Sequence, residues 1–172
     1  MKNTNECVFP YKRSIGYATL GYEAKCEGIP PEKAGMLFDH SNFMPPLRLD
    51  INQAKKEIVI VSPFVLKSRV NSMIRLLLPL VDKNIKITVI TRPAAEYENK
   101  KQSEILQLIA AMEHSGIKVV SKEGIHQKFI IMDHRIVWYG SLNLLSYGKN
   151  SEETMMRFEN RDIAQELLGS WD

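Results

Sequence analysis

His126 and Lys128 stand two residues apart, and in a β-strand side chains at i and i+2 share a face, so an imidazole and an ammonium are presented side by side. The next four residues (FIIM) are apolar on both faces, which carries the chain from this pair into the interior. Shortly downstream come Gly140, Ser141 and Asn143. The glycine permits close backbone approach, and the hydroxyl and amide supply neutral donors. A histidine, a fixed positive charge and several donors around one point suit an anionic phosphorus centre.

These residues need elements to hold them. Residues 47–56 read as a helix leading into a β-branched strand at 57–62 that Pro63 closes. Residues 65–84 carry apolar side chains at helical spacing (Val70, Met73, Ile74, Leu77, Leu80, Val81), and 86–91 (KITVIT) alternate as a second strand. A further amphipathic helix over 101–114 ends at Ser115-Gly116, and 117–121 form a third strand. Two closely spaced strands follow, 126–132 and 136–139, joined by Asp133-His134-Arg135 as a hairpin. A strand over 154–158 and a helix over 162–168 close the chain. Strands alternating with helices and then a hairpin predict a single α/β domain around a mixed sheet flanked by helices.

Residues 126–143 read His-x-Lys, four residues, Asp, six residues, Gly-Ser-x-Asn, without gap or substitution. Six fixed residues at one in twenty each arise by chance on the order of 10⁻⁸ times per starting position. The pattern resembles the hallmark of the phospholipase D superfamily, and in particular its small single-motif bacterial endonucleases. The resemblance covers residues 46–172, the phospholipase D-like domain. Residues 1–45, rich in Pro, Gly and aromatics, are set apart as an N-terminal extension of unknown role that could dock a protein partner.

The resemblance implies the roles. His126 is the expected nucleophile, forming a phosphohistidine without metal or cofactor. Lys128 and Asn143, with help from Ser141, hold the non-bridging oxygens, and Asp133 braces the motif. A downstream glutamate commonly orients the histidine, and Glu152 or Glu153 could do so here, with Glu152 favoured. Arg92, at a strand end where α/β proteins place their sites, and Gly140 are candidate substrate contacts. The family's site needs two such motifs, yet His40, His114 and His134 head no second His-x-Lys. His134 reads as a solvated turn residue. A homodimer that brings His126 and Lys128 of both chains to one phosphate is the expected solution.

The net charge of +3 is compatible with nucleic acid. Cys7 and Cys26 are too few for a disulfide framework, and the first twelve residues hold no apolar run of signal-peptide length, so a cytoplasmic protein is expected. The longest apolar run is broken by Arg75 and Pro79, and no membrane association is expected. The expected substrate is DNA, with RNA as the variant. The alternatives are a phospholipid phosphodiesterase or transferase, and a catalytically weak nucleic-acid-binding module of a restriction or repair system.

Overall fold

The computed structural model describes residues 35–148 and 152–169. Seven strands form one mixed sheet in the order β1-β7-β6-β5-β2-β3-β4. β2 (Glu57–Val61), β3 (Lys86–Thr91) and β4 (Lys118–Ser121) run parallel. β5 (Phe129–Met132), β6 (Ile136–Gly140), β7 (Thr154–Glu159) and β1 (Met36–Asp39) continue the sheet in antiparallel fashion.

Strand parity sorts the core into two layers. Ile58, Ile60, Ile87, Val89, Ile130, Met132 and Trp138 face one side, where they meet α1 (Met44–Gln53), α2 (Lys67–Val81) and α3 (Asn99–His114). Their sequence neighbours Val59, Val61, Ile90, Phe129, Ile131 and Val137 face the other side, under the single helix α4 (Arg161–Gly169). Both faces of β2 and β5 are therefore covered, which is why these strands read as unbroken apolar runs. No helix among the described residues is long and apolar enough to cross a membrane.

Three features differ from the sequence expectation. Helix α1 begins at Met44 rather than at 47, with Pro45 and Pro46 inside its first turn. A proline there loses no intrahelical bond, because the first N–H groups have no partner in any case. Strand β5 begins at Phe129 rather than at His126. Its last rung on β2 is Phe129 against Val61, and the next residue, Ser62, donates its N–H to Ile90 O of β3 at 3.0 Å. The third feature is β1, which lies within the segment set apart as 1–45 and pairs with β7 along its whole length. Met36, Phe38 and Phe43 are buried in the main core, so the sheet starts about ten residues before position 46.

One polar group ties the antiparallel half to the helices. The Asp50 carboxylate on α1 accepts from Trp138 Nε1 of β6 at 2.7 Å and from Arg157 of β7 through Nε at 2.7 Å and Nη2 at 2.9 Å. Burial works against the charge on Arg157, but the hydrogen bonds and charge of Asp50 outweigh it and hold the guanidinium above its ordinary value.

Candidate active site

The C-terminal ends of the parallel strands β2, β3 and β4 lie at one edge of the sheet. Register puts the start of β5, the end of β6, the start of β7 and the end of β1 at the same edge. Every loop here can deliver a side chain outside the sheet, the position at which open α/β sheets hold ligands.

His126 and Lys128 stand just ahead of β5 in chain that is anchored by Gly140 N donating to Lys128 O at 3.2 Å. The pair is thus delivered by the approach to the strand and not by the strand itself. His126 is exposed and Lys128 half-buried, with the Lys128 ammonium donating to the carbonyl of His126. An ammonium has three donors, so this contact leaves two for an anion.

Gly140 ends β6 where only glycine fits. A Cβ at this position would lie 2.0 Å from Thr154 O and 2.9 Å from Met155 Cα, both backbone atoms. That closeness lets Ser141 bond the first residue of β7 twice: its N–H donates to Thr154 O and its Oγ accepts from Thr154 N–H, each at 3.0 Å. Leu142, Leu144 and Leu145 are buried and anchor the loop from within. Asn143 lies between them, with its backbone carbonyl taking the N–H groups of Ser146 and Tyr147. Its side-chain Oδ1 is buried without a hydrogen-bond partner among the described residues, a cost that a binding site can retain.

The loop is also stitched to the β2–α2 connection. The buried Ser62 Oγ accepts from Leu145 N–H at 3.1 Å, and Leu66 N–H donates to Leu145 O at 2.7 Å. Arg69 then lies over the Tyr147 ring, 3.6 Å from its centre.

Asp133 sits at the opposite edge of the sheet, in the β5–β6 turn. Its carboxylate accepts backbone N–H groups from Lys55 at 2.9 Å, Lys56 at 2.8 Å and Glu57 at 3.1 Å. Partial burial raises the pKa of this carboxyl, but the three donors and the Lys56 charge outweigh it and hold the group below its ordinary value. Seven residue steps of near-extended chain, about 23 Å, separate Asp133 from His126, so its contribution is to fix the hairpin against the α1–β2 loop. His134, beside it, is not simply solvated: its Nε2 lies 2.6 Å from Glu57 Oε2.

Arg92 follows β3 directly and reaches His126. Its Nη2 lies 3.1 Å from Nδ1 and 3.2 Å from Nε2 of the imidazole. Glu152, the residue favoured for orienting the histidine, is exposed, and no hydrogen bond joins it to His126 among the described residues. Two neighbours escaped sequence reasoning. Glu96 pairs with Arg92 Nε at 3.4 Å, and the Phe64 ring lies 4.6 Å from the guanidinium carbon. The Arg92–Glu96 spacing of four residues was a visible signal, whereas nothing in the sequence linked Phe64 to either. Phe64 and Glu96 also line a groove of about 380 Å³ together with Leu66, Tyr97 and Ile105. Burial pushes the Tyr97 phenol up, and its hydroxyl donates to Pro63 O at 3.2 Å.

Among the described residues, no three His, Cys, Asp or Glu side chains converge as a metal-ligand set. Residues 47–170 match the family model described as cardiolipin synthase, PLD-like domain. No curated protein matches the chain. Among solved structures, NucT from Helicobacter pylori is similar at 18% identity and a TM-score of 0.63, over 80% of this chain and 92% of NucT. Nuc from Salmonella typhimurium, a phospholipase D family member, is similar at 19% identity and a TM-score of 0.61, over 80% and 91%. The phosphatidylserine synthase of Haemophilus influenzae shares the fold at 12% identity and a TM-score of 0.66, over 82% of this chain and 36% of the synthase.

Proposed function

Since the chain belongs to the phospholipase D-like family of phosphodiesterases, we propose that it is a metal-independent endonuclease acting on DNA, with an active site completed by a second copy of the chain. One observation carries the dimer: the sequence holds four histidines, and their placement leaves only one within reach of a given phosphate. His134 lies in the turn at the opposite edge, and His114 ends α3, at the opposite end of that helix from the site-edge loop leading into it. His40 follows β1 at the site edge, but β1 lies three strands from β5, roughly 14 Å at about 4.8 Å per strand. Two histidines that serve one phosphorus must both contact it, so the second comes from another molecule.

In this mechanism one ring nitrogen of His126 attacks phosphorus. A P–N bond forms as the P–O bond to the leaving oxygen breaks, and that oxygen takes a proton from His126 of the partner subunit. The same imidazole then removes a proton from water, whose oxygen attacks phosphorus as the P–N bond breaks. Lys128 and Asn143 of each chain, with Ser141 beside them, hold the non-bridging oxygens. Gly140 permits the close packing, Asp133 braces the hairpin, and Glu152 remains a candidate to bond the imidazole. The size and fold shared with NucT and Nuc support a nuclease. A phospholipid substrate is favoured by one observation, the apolar groove beside Phe64 and Leu66.

The test is incubation with labelled DNA, RNA and phospholipid in excess EDTA. EDTA-resistant DNA cleavage that His126→Ala abolishes is expected, and Lys128→Ala or Asn143→Ala should cost about 10²–10³ in rate. At constant total protein, mixing His126→Ala with wild type should lower activity as the square of the wild-type fraction. Turnover of lipid alone, or a linear response to mixing, refutes the corresponding part of the proposal.

A further inference from the structure

The Arg92 side chain is largely enclosed, 13% exposed, and its Nε and Nη2 are both engaged. Nε and Nη2 both donate to Ile125 O, at 3.1 and 3.0 Å, and Ile125 is the residue before His126. Glu96 Oε2 and the Phe64 ring hold the other sides of the guanidinium. The second Glu96 oxygen, Oε1, accepts from Gly124 N–H at 2.9 Å. One carboxylate thus ties down both the arginine and the loop that leads to His126.

The contact with His126 has a particular geometry. Nη2 is almost equidistant from Nδ1 and Nε2, at 3.1 and 3.2 Å. A nitrogen at those distances within the imidazole plane would overlap Cε1, the carbon between the two ring nitrogens. Nη2 therefore lies over the face of the ring. Packing on the face fixes the plane of the imidazole and leaves the in-plane direction of each ring nitrogen open, one for phosphorus and one for a hydrogen-bond partner.

We propose that Arg92 and Glu96 are positioning residues for His126, with Arg92 setting the plane of the imidazole and Glu96 holding Arg92 and the preceding loop in register. The proposal rests on the reading of His126 as the nucleophile. It differs from a role for Arg92 as a phosphate clamp, because a clamp depends on charge and a positioning residue on shape. Lysine keeps the charge but lacks the planar fork that contacts Ile125 O, Glu96 and the ring together.

The experiment uses the full chain and two variants, Arg92→Lys and Glu96→Gln. The glutamine keeps an acceptor for Gly124 N–H at a site open to solvent, so the fold is preserved. Kinetics are read on bis(p-nitrophenyl) phosphate, which is neither nucleic acid nor lipid, and the rate at which diethyl pyrocarbonate modifies His126 is read by mass spectrometry. Both variants are expected to lower kcat by about 10- to 100-fold, the effect of a small misalignment of a reacting group, with KM within about two-fold of wild type. Both are expected to change the rate of His126 modification, because a ring no longer held in one plane presents its in-plane nitrogens to the reagent differently. Near-wild-type kinetics in Arg92→Lys, where the charge is kept, or a raised KM with unchanged kcat, overturns the proposal in favour of a clamp. Wild-type kinetics in Glu96→Gln, or unchanged modification rates in both variants, also overturn it. If wild-type protein turns over no phosphodiester, the catalytic reading fails by itself, and the modification rates still decide whether Arg92 and Glu96 hold the ring.

Discussion

Replacing Asp133 by asparagine isolates the charge of the carboxylate from its shape. Asp133 has a φ of 54° and His134 a φ of 53°, so both occupy the left-handed region that closes the β5–β6 turn. Asparagine tolerates this conformation as well as aspartate, whereas alanine would add about 1 kcal/mol of backbone strain. The wild-type carboxylate takes three backbone N–H groups: Oδ1 serves Lys56 and Glu57, and Oδ2 serves Lys55. In the variant the amide oxygen can keep one oxygen's contacts, but an NH₂ group then faces an N–H donor. Hydrogen bonds to charged acceptors contribute about 1.5–3 kcal/mol when enclosed, and these are partly open to water, so the loss should be about 1–2 kcal/mol at neutral pH. Urea unfolding reads this as a lower midpoint at unchanged slope. The pH dependence supplies a second check. The folded-state pKa of Asp133 lies below its ordinary value, so its contribution is complete above the unfolded value and disappears as pH falls through the folded one. The gap between wild type and variant should therefore be constant above about pH 5 and narrow below about pH 4. Activity per folded molecule should hardly change, because Asp133 lies at the far edge of the sheet from His126. A gap below about 0.3 kcal/mol at pH 7, or one that does not narrow in acid, refutes the reasoning.

Gly140→Ala places a methyl 2.0 Å from Thr154 O and forces β6 from β7. The variant should lose about 1–3 kcal/mol by urea titration and most of its activity, since the Ser141–Thr154 bonds break with the strand pair. Asp50→Ala strands the indole N–H of Trp138 in the interior and leaves the guanidinium of Arg157 with Glu159 as its remaining acidic partner. It should cost about 3–5 kcal/mol, and a loss below about 1 kcal/mol on thermal or urea unfolding would show the network to be marginal.

The sheet illustrates how far the sequence could be read. The β-branched run of β2, the alternation in β3 and the FIIM of β5 are local patterns, and each appears as a strand within a few residues of its expected bounds. The start of β5 was misplaced because strand length depends on a partner, and β2 stops offering one at Val61. Helix α1 starts earlier than its apolar spacing indicates because its first turn accommodates Pro45 and Pro46. β1 was hidden for a different reason. Four residues of MLFD carry too little periodicity to declare a strand, and their pairing with β7 spans more than a hundred residues.

The site divides along the same line. His126, Lys128, Asp133, Gly140, Ser141 and Asn143 were identifiable by type and spacing because they lie within eighteen residues of one another, and the family resemblance carried by that spacing implied phosphodiester chemistry and the expectation of a second motif. What each residue touches was decided by tertiary structure. Asp133 bonds the backbone of residues 55–57, Arg92 crosses 34 positions to His126, and Asp50 reaches Arg157 107 positions away. Sequence spacing constrains only the few angstroms spanned by a short stretch of chain. Contacts between distant segments depend on how the sheet orders its strands, and the order β5-β2-β3 is what places Arg92 over the ring of His126.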